Sequence, residues 1–312
     1  MGAGITRVAV KKVLKSEPGM VKAHIWVGLL VASALALSGC EKKDGTPTGP
    51  SPIPAPNSAI TYSALGASDV MGVGSTSPCI FWDDCATGKG YVQVSGRELR
   101  SRGFTVDVRP LGLPGAVLSR RILNLAAQYG RSDILVTILD QEAPFILTAT
   151  TVVSIFTGVN DINALTHALG GGAGSADRVA FVNAQIGEFG QDFNALMQVV
   201  RGRAPAARIV VLNLPNVAGM PYLANATRDH RLAAQMLSVG MTSTVLNPLV
   251  SSGVLVVDLM CDDRSYQTST YSADGMHPSD AGYAWISAEV VAATTTGYKQ
   301  PQSGCSHMTK VQ

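Results

Sequence analysis

From residue 58 onward, short and almost continuously apolar runs alternate with longer amphipathic ones. Residues 59–64 (AITYSA) read as a strand that ends in a glycine turn at Gly66. Residues 90–102 read as a helix and residues 104–108 as a second strand, followed by the turn RPLGLPG. Val117, Leu118, Ile122 and Leu125 recur at helical spacing, which predicts a helix over residues 117–129. Residues 133–139 and 151–157 are β-branched and apolar; TVVSIFT at 151–157 is the better central strand. Residues 176–201 form a long amphipathic pattern. Residues 208–214 and 254–259 are apolar on both faces, as buried parallel strands are. Between them lies a predicted helix at 230–246, and the last helix spans 279–294 with Ser279 as its cap.

This alternation predicts a doubly wound parallel sheet flanked by helices. Ligands of such sheets bind beyond the carboxyl ends of the strands, so chemistry is expected in loops that follow strands. The domain runs from 58 to 300, with a short tail at 301–312 and no internal repeat.

The N-terminus has another character. Lys22 and His24 precede the apolar run IWVGLLVASALALSG at residues 25–39. That run falls short of the roughly 20 residues of a spanning helix and fits the core of an export signal. Leu37-Ser38-Gly39-Cys40 resembles the lipobox of bacterial lipoproteins, in which the chain is cut before the cysteine and its thiol is lipidated. Residues 1–39 are therefore expected to be a signal, with Met20 as a candidate start. Residues 40–57 are polar and Pro-rich and are expected to act as a stiff tether from lipidated Cys40. A plain secretory signal is the alternative. The expected location is the cell envelope, periplasmic or anchored to the outer membrane.

Charge and cysteines fit that setting. The chain carries 24 basic and 22 acidic residues. Residues 1–39 hold Arg7, Lys11, Lys12, Lys15 and Lys22 against Glu17, so the remainder has 19 basic and 21 acidic residues, a net of −2. Such a domain has no field that favours nucleic acid. Mean hydropathy of +0.21 argues against disorder. Beyond Cys40 there are Cys79, Cys85, Cys261 and Cys305, an even number that suggests disulfides in an exported chain. Of three possible pairings, Cys79–Cys85 closes a short loop and Cys261–Cys305 pins the tail; four reduced thiols are the alternative. No zinc-ligand spacing is present.

Four short blocks carry candidate chemistry. Gly66-Ala67-Ser68-Asp69-Val70-Met71-Gly72-Val73-Gly74 places a serine on a glycine-flanked turn at a strand end. Pro110-Leu111-Gly112-Leu113-Pro114-Gly115-Ala116 can aim a backbone N–H into a site. Gly158-Val159-Asn160-Asp161 follows TVVSIFT, and its asparagine amide can donate to a developing oxyanion. Asp274-Gly275-Met276-His277-Pro278 offers a general base with an aspartate three residues earlier to orient it. Each block alone reads equally well as a turn or cap. His24, His167, His230 and His307 are poorer bases by position. The loop GGGAGSADR at 170–178 lacks the Lys-Ser/Thr of a phosphate loop and reads as a flexible connection.

Taken together and in this order, the four blocks resemble the SGNH/GDSL hydrolase family over roughly residues 60–295. The resemblance implies a three-layer α/β/α sandwich around a mainly parallel, flavodoxin-like sheet. It implies Ser68 as nucleophile, His277 as base and Asp274 as the acid that orients it. The oxyanion donors would be the Ser68 and Gly115 N–H groups and the Asn160 amide. No metal or organic cofactor is implied. One departure stands out: the family's Gly-Asp-Ser-Leu reads Gly-Ala-Ser-Asp here, so Ala67 loses a carboxylate and Asp69 supplies one two residues on.

The expected reaction is hydrolysis of a small-molecule or lipid carboxylic ester through an acyl-serine, by a monomer. Met71, Ile80, Phe81, Trp82, Phe145 and Ile146 are candidates for an acyl pocket or for ordinary loop packing. A carbohydrate O-acetyl esterase is the alternative enzyme. A non-catalytic surface lipoprotein that binds a ligand on this fold is the alternative of another class.

Overall fold

The computed structural model describes residues 51–79, 84–296 and 299–312. The expected signal, Cys40 and most of the tether lie outside the described residues, as do Ile80, Phe81 and Trp82.

Five parallel strands form one sheet: β1 (Ala59–Gly66), β2 (Thr105–Pro110), β3 (Val152–Phe156), β4 (Arg208–Leu212) and β5 (Leu255–Val257). Their spatial order is β2-β1-β3-β4-β5. This is the flavodoxin-like order, whose direction of winding reverses between β1 and β3. The chain therefore opens a crevice where β1 and β3 end, and the pairing of Gly66 with Phe156 marks that place.

The helices form two outer layers. On one face α1 (Tyr91–Ser101) packs against α7 (Asp280–Thr295), burying Tyr91, Leu99, Tyr283 and Val290 with Tyr62 and Val210 of the sheet. On the other face lie α2 (Arg120–Gln128), α4 (Val159–Gly170), α5 (Arg178–Arg203) and α6 (Arg228–Met241), over Leu65, Val153, Ile155 and Val211. Every residue of β3 and β4 is buried, Ser154 and Arg208 included, which explains their nearly continuous apolar pattern. A fully buried aliphatic side chain contributes about 1.5–3 kcal/mol relative to exposure.

Several boundaries differ from the sequence reading. Residues 133–139 are not a strand. Only Thr137 forms a single bridge, to Val117, and Leu135 is exposed. Thr137 instead caps the short helix α3 (Ile138–Gln141), its hydroxyl accepting from the Asp140 N–H. The helix α2 begins at Arg120 because Val117 is taken up by that bridge and Leu118 N–H by a side chain. The predicted helix at 230–246 is α6 from Arg228 to Met241, continued by a wider turn over Thr242–Leu246. Of the strand predicted at 254–259, only Leu255–Val257 forms one. No helix among the described residues is long and apolar enough to cross a membrane.

Candidate active site

The first block leaves β1 through Gly66. A β-carbon there would sit 2.4 Å from the Phe156 carbonyl oxygen, so only glycine lets β1 and β3 close at this point. The chain then turns tightly, with Val70 N–H donating to Ala67 O and both Met71 and Val73 N–H to Ser68 O. Ser68 rides on this turn at the mouth of the crevice and is 6% exposed.

The fourth block meets it from across the chain. Ser68 Oγ lies 2.8 Å from His277 Nε2, and His277 Nδ1 lies 2.6 Å from Asp274 Oδ2. The other Asp274 oxygen accepts from Ser272 Oγ, Met276 N–H and His277 N–H at 2.8–2.9 Å. The loop is drawn tight by Ser272 N–H donating to His277 O. Gly275 has φ +71, and a β-carbon there would meet the Tyr222 N at 2.7 Å. Partial burial works against the Asp274 charge, but the hydrogen bonds from His277, two backbone N–H groups and Ser272 hold its pKa down at about 2. It is ionised wherever histidine chemistry operates.

The remaining two blocks stand beside the serine. Ala67 and Ala116, the neighbours of Ser68 and Gly115, line one small cleft with Asn160 and Asp69. Asn160 Nδ2 donates to Ala116 O at 2.9 Å, which leaves its second N–H available. Gly115 is exposed at φ +74. Among the described residues neither the Ser68 nor the Gly115 N–H donates to a protein acceptor. Asp161 is fully buried and accepts the Leu118 N–H with both oxygens; burial pushes its carboxyl up to about 7, against the pull of that N–H.

Asp69, next to Ser68, lines that cleft and also a cavity that it shares with His277, bounded by Phe156, Tyr271 and Trp285. Burial raises its pKa, and the neighbouring His277 opposes that rise. The cavity is small, about 30 Å3, and mostly apolar. Of the described residues expected to line an acyl pocket, Met71 and Ile146 are buried in the core and Phe145 is half exposed; none borders this cavity.

The other sequence candidates lie elsewhere. His167 Nε2 lies 2.9 Å from Tyr129 O, His230 sits in the first turn of α6, and His307 pairs with Asp263 and stacks on Tyr266. Asp177 of the glycine-rich connection caps α5 through the Ala180 N–H. Cys79 is bonded to Cys85 and Cys261 to Cys305, the pairing expected from the loop each closes. Among the described residues no group of three or more His, Cys, Asp or Glu is placed to hold a metal ion.

A parallel sheet with a serine, a histidine and an aspartate in hydrogen-bond sequence at its switch point defines a hydrolase of the serine type. The sequence matches the GDSL-like lipase/acylhydrolase family across residues 64–285; the chain belongs to that family and is a carboxylic ester hydrolase. No curated protein matches the sequence. Among solved structures it is similar to an extracellular lipase from Streptomyces rimosus, at 19% identity and a TM-score of 0.51, covering 76% of this chain and 100% of that one. A phospholipase A1 from Streptomyces albidoflavus aligns at 20% identity and a TM-score of 0.48, over 76% of this chain and 100% of its own. An acetyl xylan esterase from Geobacillus stearothermophilus aligns at 15% identity and 0.43, over 78% and 97%.

Proposed function

We propose that Ser68, His277 and Asp274 carry ester hydrolysis through an acyl-serine intermediate. The observation that supports this most is the unbroken chain from Ser68 Oγ to His277 Nε2 at 2.8 Å and from His277 Nδ1 to Asp274 Oδ2 at 2.6 Å. His277 Nε2 takes the serine proton as Oγ bonds to the ester carbonyl carbon, and the carbonyl electrons move onto oxygen. The N–H groups of Ser68 and Gly115 and the Asn160 amide receive that oxyanion. When the tetrahedral centre collapses, the C–O bond to the alcohol breaks and the alcohol leaves with the proton from His277. A water molecule repeats the sequence and releases the acid. Asp274, ionised throughout, holds the imidazole tautomer and offsets its charge as it forms.

The preferred substrates are esters of short acyl groups. The described cavity that adjoins His277 is small and mostly apolar, which favours a short acyl group over a fatty chain. The same limit favours a second reading, a carbohydrate O-acetyl esterase. A panel of p-nitrophenyl esters from acetyl to palmitoyl, run beside acetylated xylan, separates these. Turnover that falls with chain length supports the short-acyl reading, and an optimum at palmitoyl overturns it. Release of acetate from xylan at rates matching p-nitrophenyl acetate favours the carbohydrate esterase.

The enzyme's setting is proposed to be the cell envelope, tethered through lipid on Cys40 after removal of residues 1–39. The Leu37–Cys40 sequence, the Pro-rich tether and the two disulfides support this. Labelled palmitate incorporated by the wild type and lost in Cys40→Ser is the expected result; equal labelling of both overturns the anchor.

A further inference from the structure

Glu142 has no place in the reaction described above, yet it touches both halves of the site. It follows α3 and is completely buried. Its Oε2 accepts the Gly66 N–H at 2.9 Å and its Oε1 accepts the Leu113 N–H at 3.1 Å. Gly66 lies two residues before Ser68, and Leu113 two residues before Gly115. One carboxyl group thus joins the serine turn to the loop that presents the Gly115 N–H.

The two segments are already in contact. A β-carbon on Gly112 would lie 2.4 Å from Val70 Cβ and 2.7 Å from Ala67 O, so their separation is set to tenths of an ångström. At its far end the same loop is held by Asp161, through the Leu118 N–H, and by Asn160, through Ala116 O. The loop is therefore suspended between two buried carboxyl groups, Glu142 at its entry and Asp161 at its exit.

Stability alone gives no reason for this arrangement. Burying a carboxyl without a cationic partner is costly, and no ion pair to Glu142 exists among the described residues. Burial pushes the Glu142 carboxyl well above the usual range, against the two N–H donors. A forked acceptor, however, fixes the spacing of two donors in a way that apolar packing does not. Oxyanion donors must stand within a few tenths of an ångström of the developing charge to act.

We propose that Glu142 is a positioning residue that sets the distance between the Ser68 turn and the Gly115 loop, and so aligns the oxyanion donors. This rests on the Ser68 reading. It predicts a defect in turnover rather than in substrate binding. Gln keeps one acceptor oxygen and turns an NH2 against the second N–H; Met keeps the size and removes both acceptors.

The test compares wild type, Glu142→Gln and Glu142→Met with p-nitrophenyl acetate. Rates are expressed per site titrated with a fluorophosphonate, at a temperature at which each variant is folded. Ser68→Ala is run alongside. The expected result is a fall in kcat of about 10-fold in Glu142→Gln and about 100-fold in Glu142→Met, with KM within about twofold. Wild-type kcat per titrated site in Glu142→Gln overturns the proposal, whether or not Glu142→Met folds. An unchanged kcat with a raised KM overturns it too, since that pattern belongs to a substrate-binding role. Turnover retained by Ser68→Ala overturns the Ser68 reading itself, a result separate from either outcome at Glu142.

Discussion

Gly74 is packed against His277 so closely that a β-carbon at position 74 would lie 2.6 Å from the His277 Cβ and 2.8 Å from Pro278 O. The last glycine of the serine block is thus the backing of the histidine loop. It also has φ +92, where a side chain is strained. Gly74→Ala is expected to displace the imidazole from Ser68 and lower kcat by about 100-fold, because a shift near 1 Å at a catalytic group costs about that much. Steady-state kinetics with a circular dichroism check of folding measures this.

Asn160 holds Ala116 O and, in the proposed mechanism, also donates to the oxyanion. Asn160→Ala should lower kcat by about 10²–10³ while KM moves only a few-fold. A raised KM with unchanged kcat in the same kinetics would make Asn160 a substrate-binding residue.

Asp161 and Asp274 make opposed contributions to the pH dependence of stability. Burial holds the Asp161 carboxyl at about 7 in the folded chain, above its ordinary value of 3.8. Between those values the folded chain binds more protons than the unfolded one, so stability falls as pH rises from about 4 to about 7 and the full penalty remains above 7. Three pH units correspond to about 4 kcal/mol as an upper bound. Asp274, held at about 2, acts the other way: its contribution is present above the ordinary value of 3.8 and is lost as pH falls toward 2. Half exposed, it contributes less. Urea unfolding at pH 5 and pH 8 should therefore show the wild type weaker at pH 8, with that difference reduced in Asp161→Asn. Identical pH dependence in both proteins would contradict the assignment.

The bond between Cys261 and Cys305 spans 44 positions and pins a tail whose His307 O and Val311 O accept from Asn216 and Gln235. Closing a loop of that length stabilises by about 4 kcal/mol in the chain-entropy account. Cys305→Ser should lower the unfolding midpoint markedly and leave KM nearly unchanged, since neither the bond nor the tail touches Ser68. Thermal denaturation beside kinetics checks both halves.

The parts of the site that were legible in the sequence are those confined to one loop each. Ser68, Asn160 and the Asp274–His277 pair announce themselves because a few adjacent residues of the right type follow a strand or precede a helix. The alternation of apolar runs was enough for the parallel sheet, since β3 and β4 are apolar on both faces. Residues 133–139 differ from the strand their pattern predicts because Thr137 is used for a single bridge and a helix cap, which periodicity does not separate from a strand. The cavity was not legible because Phe156, Tyr271 and Trp285 come from three distant segments. Glu142 was invisible for the same reason and one more: in ILDQEAPF it reads as an ordinary charged residue of a surface turn. The signal that could draw attention to it is its place two residues before Pro144, at the end of α3.

The central claim is that the acyl group passes through Ser68. Rapid quenching of the enzyme with p-nitrophenyl acetate, followed by peptide mass spectrometry, tests it most directly. The account predicts one acetyl group on the peptide that contains Ser68, absent in Ser68→Ala and accumulating when His277 is replaced only to the extent that residual acylation allows. Acetyl found on another residue while Ser68→Ala still turns over the ester would contradict it.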